Sequence, residues 1–120
     1  MKREAPLRVV VADNDLDALD LLDMDLTFEG HEIVGRARQG DQAIALCHQL
    51  KPDVLVVDVR MPPGPDGIAV TRMLHGIPGL HIVVYTNYRD ASLREAAVQL
   101  GAKFLPKGRL SALRTAVRRT

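Results

Sequence analysis

Val54-Leu55-Val56-Val57-Asp58-Val59 is an aliphatic run broken by a single carboxylate, and its reading decides the fold. A strand with one wet face alternates polar and apolar residues, whereas a strand covered on both faces has no need to. Residues 54–57 therefore read as a central strand, with the strand reaching to residue 59. Four more β-branched stretches flank it along the chain: residues 7–12 (LRVVVA), 33–37 (IVGRA), 81–85 (HIVVY) and 103–105 (KFL). The broken pattern of 33–37 places that strand nearer an edge.

Helical periods fill the gaps. Leu19, Leu22 and Leu26 recur at i, i+3 and i+7, with Asp15 as N-cap and Gly30 as a stop. Residues 40–50 repeat the pattern through Ala43, Ile44 and Cys47 until Pro52 blocks it, and residues 68–74, 91–100 (ending at Gly101) and 111–118 follow. Strand and helix alternating five times, with short connections, means parallel strands joined by right-handed crossovers. The expected fold is a five-stranded doubly wound α/β sheet, a three-layer sandwich of (βα)5 type.

Composition removes several function classes. The 120 residues carry sixteen Lys and Arg against fifteen Asp and Glu, so charge gives no reason to expect direct nucleic-acid binding or a membrane surface as partner. Cys47 is the single cysteine, which rules out an internal disulfide, and no Cys/His cluster has zinc spacing. Both points suit a reducing cytoplasm. No apolar stretch approaches the ~20 residues of a membrane span, and residues 1–7 lack a signal-peptide core. Residues 1–6 are expected to form an N-terminal arm and 7–120 one domain. His31, His48, His75 and His81 are scattered over different elements and read as surface or core histidines. Arg114, Arg118 and Arg119 oppose the last helix's dipole and read as a solvated face.

In a doubly wound sheet, ligands sit beyond the carboxyl ends of the strands. The residues there are Asp13, Asn14 and Asp15 after the first strand, Asp58 closing the third, Thr86 after the fourth and Lys107 after the fifth. Each has an ordinary reading alone: Asp15 as a helix cap, Thr86 as a strand residue, Lys107 as a surface residue. Asp58 is different, because a carboxylate closing a buried strand is expensive unless it is paired or binds a metal. Together the carboxylates repel, by about 4 kcal/mol for a pair ~4 Å apart at an effective dielectric of ~20, and so favour a cation. With oxygen donors alone and few carboxylates, the ion of choice is Mg²⁺ with retained waters. Mg²⁺, an ammonium and a hydroxyl around a free carboxylate describe phosphoryl transfer onto that carboxylate.

The chain resembles the receiver domain of two-component response regulators over nearly its full length. The resemblance is carried by VVVADND (9–15), PDVLVVDVRMP (52–62), DGI (66–68), VVYTNY (83–88) and GAKFLPKG (101–108). It implies a flavodoxin-like sheet of strand order 2-1-3-4-5. It also implies that a sensor histidine kinase phosphorylates Asp58. Mg²⁺ would be held by Asp13, Asn14, Asp58 and the backbone carbonyl of Arg60, with Asp15 adding charge nearby. Thr86 and Lys107 would meet the phosphoryl group, and Thr86 and Phe104 would act as the switch. The face of the fourth helix, fifth strand and last helix would then change, controlling a homodimer or a DNA-binding output module in a longer chain. Plain core packing is the alternative for Phe104.

Four positions depart from the family pattern. Asn14 stands where a second acid is usual, which should weaken Mg²⁺ binding. Asn87 replaces a very small residue and crowds the approach to Asp58. The loop of residues 61–67 is one residue longer and carries three prolines, and Gly108 replaces the proline that usually follows the lysine. Two rival functions follow: a receiver-like interaction module without phosphorylation, suggested by Asn14 and Asn87, and a haloacid-dehalogenase-type phosphohydrolase using Asp13 of Asp13-Asn14-Asp15.

Overall fold

The computed structural model describes residues 6–118. Its strands are β1 (Arg8–Ala12), β2 (Glu32–Ala37), β3 (Val54–Val57), β4 (His81–Thr86) and β5 (Lys103–Pro106). They form one parallel sheet in the order β2-β1-β3-β4-β5. The helices are α1 (Leu16–Phe28), α2 (Gly40–Leu50), α3 (Gly67–Leu74), α4 (Ala91–Gln99) and α5 (Leu110–Arg118). The doubly wound α/β expectation is met, and among the described residues no helix is long and apolar enough to cross a membrane.

The aliphatic run occupies the middle strand, and all four residues of β3 are buried. Alternate side chains feed two cores. Leu55 and Val57 join Val10, Ala12 and Val84 against α2, α3 and α4, through Ala43, Cys47, Val70, Leu74 and Ala97. Val54 and Val56 join Val9, Val11 and Val83 against α1 and α5, through Leu19, Leu22, Leu26, Leu113 and Val117. Each fully buried Val or Leu contributes about 1.5–3 kcal/mol relative to exposure, so β3 anchors both layers of helices. β2 lies at the sheet edge and is only partly buried, as its broken pattern implied. Cys47 belongs to the core, where burial pushes its thiol up to about 12.

Local chemistry sets the helix ends. The Asp15 side chain accepts from the Asp17 N–H at 2.9 Å, confirming it as the α1 N-cap, and Gly30 follows α1 at φ +97°, where a side chain would be strained. Asp66 caps α3 by accepting from the Ala69 N–H at 2.9 Å. Among the described residues the cis peptide bond joins Pro62 and Pro63, not Lys107 and Gly108.

Three expectations need correction. The third strand stops at Val57, two residues early, because the Val59 carbonyl accepts from Gly67 N–H at 2.7 Å and turns the chain into the loop before α3. The fourth and fifth strands each run one residue further, pairing Thr86 with Pro106. Arg114 and Arg118 are not a freely solvated face. Arg114 makes an ion pair with the buried Asp25 of α1, its Nε lying 3.1 Å from both carboxylate oxygens, and Arg118 reaches Glu29 at 3.3 Å. Arg119, and residues 1–5 of the expected arm, lie outside the described residues.

Two substitutions test this packing. A Cβ on Gly67 would sit 2.1 Å from the Asp58 carbonyl oxygen, a backbone atom that cannot yield cheaply. Gly67→Ala should therefore lower the unfolding free energy by about 1–3 kcal/mol, read from urea melts. Arg114→Ala should lower Tm by stranding the Asp25 carboxylate, and adding Asp25→Asn should recover part of that loss. No recovery in the double variant would mean that the stranded charge is not the cause.

Candidate functional site

The carboxyl ends of β1, β3 and β5 bring three charged side chains into contact. Asp13 follows β1 directly, and its backbone N–H still bonds to the Ala37 carbonyl of β2 at 2.9 Å, which fixes its position. Its carboxylate is 2% exposed; Oδ1 accepts from the Asp15 N–H at 2.9 Å, and Oδ2 lies 2.6 Å from Lys107 Nζ. Asp58 follows β3 and is held by its own N–H to the Ala12 carbonyl at 3.0 Å. Its Oδ1 accepts from the Val59 N–H at 2.7 Å, and Oδ2 accepts from Lys107 Nζ at 3.0 Å. Lys107 is placed by its backbone N–H, which donates to the Thr86 carbonyl at 2.9 Å.

Two carboxylates thus share one ammonium, and the trio keeps a net negative charge. Burial pushes the Asp13 carboxyl above the usual aspartate value, helped by the charge of Asp58 and opposed by the Lys107 ammonium and the Asp15 N–H. For Lys107, burial alone would favour the neutral amine, but its hydrogen bonds to Asp13 and Asp58 outweigh that and the net direction is upward. The ammonium therefore stays charged at neutral pH.

These groups line an open cavity of about 590 Å³, together with Asn14, Asp15 and Asn87. Asn14 is exposed and its amide donates to the Pro62 carbonyl at 3.3 Å, so the proline loop and the end of β1 close one wall jointly. Arg60 and Tyr88 complete the rim, with the Arg60 guanidinium 5.9 Å from the centre of the Tyr88 ring. Sequence reasoning counted the Arg60 carbonyl but missed its side chain and Tyr88. The available signal was their position, each two residues beyond a strand-end candidate, Asp58 and Thr86.

Thr86 and Phe104 stand differently. Thr86 is fully buried, does not line the cavity, and its hydroxyl accepts from the Tyr88 N–H at 3.2 Å. Phe104 is also buried and pairs in register with Val84. Since residues i and i+2 of a strand share a face, Thr86 and Phe104 lie on the side of the sheet that faces α4.

The donor set suits a hard divalent ion. Among the described residues no group of three or more Asp, Glu, His or Cys side chains gathers to hold a metal unaided. Two carboxylates with excess negative charge, an amide and backbone carbonyls match an ion that keeps several of its waters, which is the habit of Mg²⁺.

Comparison with known proteins agrees with this geometry. Residues 9–118 match the family model of the response regulator receiver domain. The chain belongs to that family. The receiver is 35% identical over 102 residues to response regulator GacA of Pseudomonas aeruginosa, covering 83% of this chain and 47% of that protein. It is 39% identical over 98 residues to transcriptional regulatory protein PdtaR of Mycobacterium tuberculosis, covering 81% and 47%. The signal receiver domain of NarL from Mycobacterium tuberculosis superposes with a TM-score of 0.85 at 26% identity, over 98% of this chain and 100% of that one. The receiver spans about half the length of the curated relatives it matches.

The raised Asp13 carboxyl has a measurable consequence. The folded receiver holds this proton more tightly than the unfolded chain, so with a chelator present wild-type stability should fall as pH rises from the ordinary aspartate range through the raised folded value. Asp13→Asn should remove that part of the pH dependence and leave the chelated protein at least as stable as wild type at neutral pH. Urea unfolding at stepped pH checks both points, and an unchanged slope in the variant would contradict the assignment.

Proposed function

We propose that Asp58 is the phosphoacceptor of this receiver, loaded by a phosphohistidine on a sensor histidine kinase. The observation that carries this reading is the Asp58 carboxylate at the cavity wall, 3.0 Å from an ammonium that also holds Asp13. A carboxylate oxygen of Asp58 attacks phosphorus in line, the P–N bond breaks, and its electron pair returns to the imidazole, which takes up a proton. Lys107 neutralises charge arriving on the phosphoryl oxygens, and Asp13 holds Lys107 beside the reacting oxygen. Mg²⁺, held by Asp13, Asp58, Asn14 and the Arg60 carbonyl with Asp15 adding charge nearby, would supply further charge neutralisation when bound.

The acyl phosphate puts nearly two negative charges where one stood. The Thr86 hydroxyl then exchanges the Tyr88 N–H for a phosphoryl oxygen, and the space it leaves on the α4 side of the sheet receives the Phe104 ring. The surface of α4, β5 and α5 changes as a result, and a homodimer or a DNA-binding output module reads that change. The name of PdtaR, a transcriptional regulatory protein, supports a role in transcription regulation for a longer chain of this family. On this reading residues 7–120 are the signalling unit preceded by the arm of residues 1–6, the setting is the cytoplasm, and the chemistry is confined to loading and unloading Asp58.

Asn14 favours a second reading, a receiver-shaped docking module that is not phosphorylated, because it replaces a charged metal ligand. The phosphohydrolase reading loses its support, since the receiver match spans residues 9–118. Intact mass after treatment with acetyl phosphate and Mg²⁺ separates the readings that remain. Wild type should gain one phosphoryl group and Asp58→Ala none, while Lys107→Ala should load roughly 10²-fold more slowly, the scale of losing one preorganised charge-stabilising donor. A mass gain that survives Asp58→Ala would overturn the assignment; no gain on wild type, repeated with a cognate kinase, would establish the docking module.

A further inference from the structure

We infer that Tyr85 is a positioning residue for the site: its hydroxyl holds the backbone of Gly108 and thereby keeps the Lys107 ammonium between Asp13 and Asp58. The inference rests on Asp58 being the phosphoacceptor and adds what places the cation beside it. Tyr85 lies in β4 one residue before Thr86, is 5% exposed, and belongs to the core that packs against α1 and α5. Among the described residues the other apolar side chains of that core are aliphatic, so Tyr85 alone of them carries a polar atom into it. A buried hydroxyl is costly unless it is bonded, and this one accepts from the Gly108 N–H at 3.1 Å.

The bond falls where the sheet stops holding the chain. The β4–β5 ladder ends by pairing Thr86 with Pro106, which has no N–H to give. Lys107 then donates its N–H to the Thr86 carbonyl at 2.9 Å, and Gly108 donates to the Tyr85 hydroxyl. These two N–H groups belong to the peptide planes on either side of the Lys107 Cα, so both planes are tied to β4. Together they fix the direction in which the Lys107 side chain leaves the backbone.

Nothing else performs that task at Gly108. It sits at φ +95°, and no atom lies within 4 Å of the place a Cβ would take, so packing does not restrain it. The hydroxyl and the glycine form a pair, because the proline usual after the lysine would offer Tyr85 no N–H. Lys107 Nζ ends a flexible four-carbon stem, yet it meets Asp13 at 2.6 Å and Asp58 at 3.0 Å. A turn of the Lys107–Gly108 peptide swings that stem and lengthens both contacts. Tyr85 thus acts on the reacting carboxylate through Lys107, without lining the cavity itself.

The test compares wild type, Tyr85→Phe, Lys107→Ala and the double variant. Tyr85→Phe keeps the ring in the core and frees an N–H on an exposed residue that water can reach, so thermal melts should show it folded. In the unphosphorylated protein, NMR should show the Gly108 amide exchanging with solvent about three- to tenfold faster in Tyr85→Phe, the scale of one lost neutral hydrogen bond. The Lys107 ammonium protons should exchange faster as well. Loading from acetyl phosphate and Mg²⁺, followed by intact mass, should slow about three- to tenfold. In the Lys107→Ala background Tyr85→Phe should slow loading no further, because its effect passes through the ammonium. Unchanged exchange in Tyr85→Phe, or an equal loss of loading rate in the Lys107→Ala background, overturns the inference. Failure of wild type to load overturns the Asp58 assignment instead, and the exchange rates then decide the role of Tyr85 on their own.

Discussion

One ammonium shared by two buried carboxylates organises the charged end of this domain. Asp13 and Asp58 sit at the ends of adjacent parallel strands, and Lys107 from the far edge of the sheet offsets the repulsion between them. The sheet order makes the contact geometric rather than fortuitous: β1 and β3 are neighbours, and β5 brings Lys107 back because its backbone N–H is locked to the Thr86 carbonyl of β4. Because the acids outnumber the cation, the trio is stable but not neutral. That residual charge has the sign that a divalent cation offsets.

The rest of the fold keeps this arrangement rigid. β3 is buried on both faces, so Asp58 emerges from the least deformable part of the molecule. Gly67 then presses α3 against the Asp58 backbone, and a Cβ on Gly40 would meet the Pro65 carbonyl oxygen at 2.2 Å, so the proline loop is seated against α2. At the rim stand the exposed side chains of Arg60, Asn87 and Tyr88, with the buried Thr86 hydroxyl behind them. The Asp25–Arg114 pair ties α5 to α1 on the opposite side of the sheet, so the last helix is held at both its apolar face and its charged one.

Much of this was legible in the chain. Short β-branched runs and period-3.6 patterns located all five strands and all five helices, with errors of one or two residues at their ends, because those ends depend on what the backbone meets after leaving the sheet. Asp13, Asp58 and Lys107 were identifiable as strand-end residues, and Asp15 and Gly30 as helix punctuation. The Arg60 side chain and Tyr88 were missed, since their place two residues beyond a strand-end candidate gains meaning only when the two loops meet. Arg114 and Arg118 were misread for a related reason: Asp25 and Glu29 stand 89 positions away from them in the chain.

The amino-acid sequence alone determined the layer architecture and the identity of the charged groups at the strand ends, because hydrophobic period and residue chemistry are local properties. Tertiary structure alone decided that Lys107 touches both acids, that Thr86 lies buried behind the cavity rather than within it, and that Arg60 meets Tyr88. Each of these is a contact between segments joined only through the sheet, where strand order and register set distances to a few tenths of an ångström that no spacing along the chain encodes.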